Sequence, residues 1–183
     1  MKKKYMAMLG LVALLLVGAT SAAMASTGAK PAESLPKAVR EATAQFNDVR
    51  KAQAAGYGVF HGCVSGQQEG AMGVHFANPS LVDGAVELGQ PEALLYEPKG
   101  DELELAGVEY VVIAEAWNAS HPAPPVLMGQ LFNFVSAPNR YGLPAFYELH
   151  VWAWERNPSG MFADWNPRVS CEDFVGEAAG HGH

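Results

Sequence analysis

Near Met72 the hydrophobic period of this chain changes from a helical spacing to one close to two. Before that point Leu35, Val39, Ala42, Phe46, Val49 and Ala52 recur three or four residues apart, with Arg40, Glu41, Asp48 and Arg50 between them. That spacing predicts one amphipathic helix, with Ser34 at its start, Pro36 in its first turn and Gly56 beyond its end. After Met72 the apolar runs carry valine, tyrosine, phenylalanine and tryptophan, the residues of pleated strands. Strands are expected near residues 72–76, 93–96, 103–116, 127–135 and 145–155. Glu97-Pro98-Lys99-Gly100 suits a type I turn and predicts a hairpin between the second and third. A helix with one apolar face and a set of alternating strands can satisfy both only by packing together. The fold class expected is therefore α+β: one N-terminal amphipathic helix on a curved, mainly antiparallel sheet of four to five strands, cystatin-like or a small open barrel.

The first 25 residues do not belong to that fold. Lys2, Lys3 and Lys4 precede an apolar run from Met6 to Val17, and the segment closes on Ala23-Met24-Ala25. This is the order of a secretory signal with its cleavage site before Ser26. The run is too short for the roughly 20 residues of a membrane-spanning helix, and no cysteine follows to carry a lipid. Export to the periplasm or medium is expected, with no stable membrane anchor. Residues 26–33 read as a flexible leader, 34–175 as a single globular domain and 176–183 as a disordered tail. The whole chain has 12 basic and 19 acidic residues, and cleavage removes three of the basic ones, widening the excess to ten acids. Such a field repels a phosphate backbone, so nucleic acid is excluded as a partner.

Cys63 and Cys171 are the two cysteines. In an oxidising compartment they are expected to pair with each other, closing a loop whose constraint contributes on the order of 4 kcal/mol. No C-x-x-C is present, which argues against a redox or zinc-ribbon role.

Chemistry concentrates on the last strand. Alternation from residue 145 to 155 places Tyr147, Leu149, Val151 and Ala153 on one face and Phe146, Glu148, His150, Trp152 and Trp154 on the other. A carboxylate and an imidazole thus point the same way among large rings, where an acid is costly unless paired or coordinated. Unbroken alternation also puts Glu109 among Leu103, Leu105, Val111 and Ile113, although a bulge at Gly107 would turn it outward. On the first strand His75 faces away from Met72, Val74 and Phe76. If the sheet curls, His75, Glu109, Glu148 and His150 converge and offer imidazoles and carboxylates to one divalent transition metal. Phe146, Trp152 and Trp154 then wall a pocket beside it. The competing account is structural: Glu148 and His150 pair with each other or with Arg140 or Arg168, and His75 is a hydrogen-bonded core histidine. No H-E-x-x-H, G-x-S-x-G, phosphate-binding or dinucleotide-binding glycine motif occurs.

Ala71-Met72-Gly73-Val74-His75-Phe76, residues 91–98, Gly107-Val108-Glu109-Tyr110 and residues 139–171 with their YELHVWAW and GMFADWNPRVSC runs resemble a family of uncharacterised secreted bacterial proteins with no established activity. The resemblance spans residues 42–171 and implies export and a shared domain. The residues themselves support an extracytoplasmic protein that binds a small ligand or metal ion in an aromatic-lined pocket. An enzyme using the same pocket, through a metal-activated water or His/Glu acid–base chemistry, and an interaction module without chemistry are the alternatives. The sequence leaves the oligomeric state open.

Overall fold

The alternating segments pair into one main antiparallel sheet, but of six strands rather than four or five. The computed structural model describes residues 34–176; the expected signal segment, the leader and the tail beyond Gly176 lie outside them. The strands are β1 (Gly58–Ser65), β2 (Ala71–Ala77), β3 (Ala93–Lys99), β4 (Glu102–Ile113), β7 (Asn133–Val135) and β8 (Phe146–Val151), in the order β1-β2-β3-β4-β8-β7. Between β4 and β7 lie α3 (Ala114–Asn118) and a small separate hairpin, β5 (Val126–Leu127) with β6 (Gln130–Leu131). No helix among the described residues is long and apolar enough to cross a membrane.

The single helix expected over residues 35–52 is three short segments: α1 (Leu35–Thr43), a 3-10 turn (Ala44–Asn47) and α2 (Val49–Ala54). The break falls at residues whose side chains compete for backbone bonds. Thr43 donates its hydroxyl back to the Val39 carbonyl at 2.7 Å, and Asp48, in extended conformation, restarts the helix by accepting the Arg50 N–H. The apolar stripe survives the break. Leu35, Val39, Phe46 and Ala52 still share one core with Val74, Phe76, Leu94, Tyr96, Val108, Tyr110, Val112, Leu149 and Val151. The Tyr96 hydroxyl ties sheet to helix by donating to the Phe46 carbonyl at 2.6 Å.

Other expected boundaries shift for local reasons. β4 ends at Ile113 and continues as α3. The strand expected over 127–135 is interrupted at Met128-Gly129, both at positive φ (48° and 89°), which make the tight turn of the β5–β6 hairpin. The β3–β4 hairpin forms, but its turn moves to Gly100-Asp101, because Pro98 stays in the ladder opposite Leu103.

The opposite face of the sheet carries the polar residues, and a one-residue irregularity puts them there. Leu95 pairs with Gly107 but Tyr96 with Leu105, so Ala106 is an extra residue in β4. The face of β4 therefore changes hand at that point. Leu105 joins the helix-side core with Val108 and Tyr110, while Glu109 and Val111 point to the other side. The bulge expected to turn Glu109 outward exists, one residue earlier, and it leaves Glu109 4% exposed. β8 stops at Val151, where the chain turns across β4 and the N–H groups of Trp154 and Glu155 both donate to the Ala106 carbonyl.

Loops cover this second face. Trp152 donates its indole N–H to Ala163 at 2.6 Å, Asn157 donates to the Trp165 carbonyl at 2.8 Å, and Ala71 and Asn166 exchange backbone bonds in an antiparallel bridge. That bridge needs Gly70: at φ 89°, a Cβ there would meet the Asn166 carbonyl oxygen at 2.2 Å. Past the bridge, Cys171 is disulfide-bonded to Cys63 of β1.

Candidate functional site

Strand register assembles the site. Glu109 of β4 lies directly opposite His150 of β8, and Glu148 opposite Val111 one step on. His75 reaches the same region from β2, which pairs with β3 through Ala77↔Ala93 and His75↔Leu95. All four side chains sit on the face away from the helices and all are buried, His150 completely. His75 Nε2 lies 3.6 Å from Glu109 Oε2, and the two imidazole rings meet edge to face with centroids 6.4 Å apart.

One ligand atom each from His75, Glu109 and His150 lies within 4.8 Å of the others, and the same holds for Glu148, His150 and Asp164. His150 therefore belongs to both groups. Asp164 comes from the covering loop, about a third exposed, with Oδ1 3.6 Å from His150 Nδ1.

Among the described residues neither ring nitrogen of His75, and neither of His150, makes a close hydrogen bond, although the Gly73 backbone acts on His75. Each such buried group costs roughly 1–3 kcal/mol when left unpaired. The structural account is met in part, since the Gly73 backbone acts on His75 and the charge of Arg140 acts on Glu148. Arg168 pairs with Glu155 at 3.5 Å, while Arg140, over the Trp165 ring at 5.3 Å, is close enough for its charge to hold down Glu148 and Asp164.

Burial governs the protonation of the cluster. It holds His75 down to about 3, with the neighbouring His150 adding to the effect, and His150 down to about 4. It pushes Glu109 well above the carboxylate range, helped next by the charge of Glu148 and by a hydrogen bond to it. Glu148 rises to about 7 through burial and then the charge of Asp164, while the same hydrogen bond opposes the rise. Burial raises Asp164 as well. At neutral pH the imidazoles are neutral lone-pair donors, and burial favours a proton on Glu109, hydrogen-bonded to Glu148. A cation binding here would displace that proton.

A cavity of about 340 Å³ adjoins the cluster. Its floor is buried His75, Glu92, Ala93, Glu109, Val111 and Phe146, and its rim is the more exposed Phe60, Ala77, Pro79, Val82, Tyr141 and Leu143. Tyr141 links floor and rim, with ring centroids 6.0 Å from Phe146 and 6.3 Å from His75.

Of the expected aromatic wall, Phe146 lines this cavity. Trp152 does not line it: the ring is buried with Ala71, Leu95, Ala106 and Val169, roughly parallel to that of His150 with centroids 6.4 Å apart and packed where Gly107 has no Cβ. Trp154 goes elsewhere: because β8 ends at Val151, the alternation that placed it beside Trp152 is broken. Trp154 packs against the helix-side core with the Arg40 guanidinium 5.8 Å from its ring. Three residues escaped the sequence reading. Asp164 and Tyr141 lie on loops with no period to read, and Glu92 precedes the apolar run of β3, its Oε2 accepting the Val111 N–H at 2.8 Å. An acid directly before a buried strand was the only signal for it.

No protein-family model, curated protein or solved structure matches this chain.

Proposed function

We propose that this chain is an extracytoplasmic binding protein that holds one divalent transition metal ion between His75, Glu109 and His150, at the inner wall of a cavity that admits a small ligand. The observation that carries this reading is the set of four buried imidazole nitrogens, none with a close hydrogen bond among the described residues, beside a buried carboxyl. A tetrahedral ion with bonds of about 2.0–2.2 Å keeps its ligand atoms roughly 3.3–3.6 Å apart. The 3.6 Å between His75 Nε2 and Glu109 Oε2 fits that spacing without a direct hydrogen bond. Two imidazoles and one carboxylate leave coordination positions open, and Glu148 and Asp164 stand ready to fill or orient them.

Curvature of the sheet belongs to the same proposal. β2 and β8 are three strand spacings apart, roughly 14 Å in a flat sheet, yet the rings they carry have centroids 6.4 Å apart. Export belongs to it too, supported by the lysine-rich, apolar, small-residue order of residues 1–25 and by the Cys63–Cys171 disulfide. So does the resemblance to secreted bacterial proteins, which rests on the segments quoted above.

The test is recovery of untagged protein from its native compartment, followed by intact mass and elemental analysis. The expected result is a chain beginning at Ser26 that carries about one equivalent of a single divalent transition metal. Substoichiometric metal that rises on no addition of zinc, manganese, iron, cobalt or nickel contradicts the proposal.

A further inference from the structure

Glu92 takes no part in the proposed metal cluster, yet it is a buried acid on the floor of the adjoining cavity. Its carboxyl accepts the Val111 N–H at Oε2 and a bond from its own backbone N–H. Glu109 lines the same cavity and feels the charge of Glu92, after the larger influences of Glu148 and Asp164.

The rest of the cavity suits a cation better than any other charge class. Lysine and arginine are missing from its lining, so an anionic head group would meet two carboxyls and no positive partner. The walls are apolar and aromatic, with Phe60, Tyr141 and Phe146 presenting rings and Ala77, Pro79, Val82, Ala93, Val111 and Leu143 presenting aliphatic surface. An ammonium is the one charged group that gains from ring faces as well as from a carboxylate. The acidic excess of the whole chain favours the approach of cations for the same reason.

We propose that the cavity binds a small organic amine, its ammonium on the Glu92 carboxylate and its hydrocarbon part against Phe60, Tyr141 and Phe146. The volume lies at the small end of the range of ligand sites, about 300–1,000 Å³, so the amine is a compact one. This deepens the reading of the chain as a small-ligand protein. It rests on the cavity half of that reading and not on the ion.

Benzylamine, benzyl alcohol and benzoate share one skeleton and differ in the charge of the head group. Calorimetric titration of each into the wild-type protein near about pH 9, above the point at which burial lets the Glu92 carboxyl ionise, as purified and again with a chelator present, tests the proposal. Benzylamine is expected to bind about tenfold or more tightly than benzyl alcohol, the difference a charge-assisted hydrogen bond confers, with benzoate weakest, and with the same order in both arms. In Glu92→Gln the amide oxygen can still accept the Val111 N–H, so the cavity should persist. There the amine is expected to lose its advantage while the alcohol binds as before, and a thermal melt confirms that the variant is folded. Equal binding of alcohol and amine, or an amine preference that survives Glu92→Gln, overturns the amine class while leaving a ligand cavity in place. Failure of all three probes overturns the cavity reading itself. The order of the three affinities without metal separates either failure from a failure of the metal proposal.

Discussion

Glu92 gives the clearest residue-scale consequence of burial. Its carboxyl, ordinarily near 4.5, is pushed up to about 8, chiefly by desolvation, against the opposing N–H of Val111. Asp83 adds a smaller push in the same direction, and Glu109, Tyr57 and Tyr110 also feel its charge. Between those two values the folded protein holds a proton that the unfolded chain has released. Its contribution to stability is therefore complete below about pH 4.5, falls as pH rises toward 8, and changes no further above it. Glu92→Gln removes the titration and keeps the backbone bond. Near about pH 9 the variant should be more stable than wild type by roughly 2–4 kcal/mol, and near about pH 4 the two should match. Denaturant midpoints of both proteins across pH check this, and parallel curves contradict it. Glu92 was hidden in the sequence because nothing in a two-residue period distinguishes an acid that enters a core from one that precedes it. Glu109, Glu148 and His150 were legible for the opposite reason, since each sits where alternation predicts a face and the chemistry disagrees with the burial.

At the scale of elements, the alternating strands were readable where the ladder is regular and lost where backbone conformation interrupts it. β1 went unseen because His61 and Gly62, both at positive φ (60° and 62°), bulge out between Phe60 and Cys63 and destroy the alternation. The helical stripe was real, but its period does not reveal a Thr43 or Asp48 that stops one helix and caps the next. Asp164 illustrates a further limit: it reaches His150 on a loop that the Ala71–Asn166 bridge and the bonds to the Ala163 and Trp165 carbonyls hold on the sheet. That bridge predicts a remote effect. Gly70→Ala places a Cβ against the Asn166 carbonyl at a φ that disfavours side chains, and should cost more than about 1 kcal/mol. Hydrogen exchange of such a variant should show faster exchange of the Ala71 and Asn166 amides than wild type, with β8 unchanged. Unaltered exchange at Asn166 would mean the loop is held by its other bonds alone.

For the molecule as a whole, the Cys63–Cys171 disulfide, spanning 108 residues, ties the C-terminal segment to edge strand β1. Cys63→Ser and Cys171→Ser should each lower stability by about 4–5 kcal/mol, and the double variant by little more, because either change opens the same loop. Urea unfolding of the three variants measures this; additive losses would contradict a single shared constraint. The central claim is that His75, Glu109 and His150 form one site for one ion, and the most direct measurement is divalent-metal titration of His75→Ala, His150→Ala and Glu109→Gln beside wild type, with a melt of each metal-free protein. Expected are one equivalent bound by wild type, none by either histidine variant, weakened binding in Glu109→Gln, and metal-free proteins that still melt cooperatively, because alanine removes imidazoles that make no close hydrogen bond among the described residues. Stoichiometric binding that persists in either histidine variant, or a wild-type protein that binds no divalent ion, would contradict the claim.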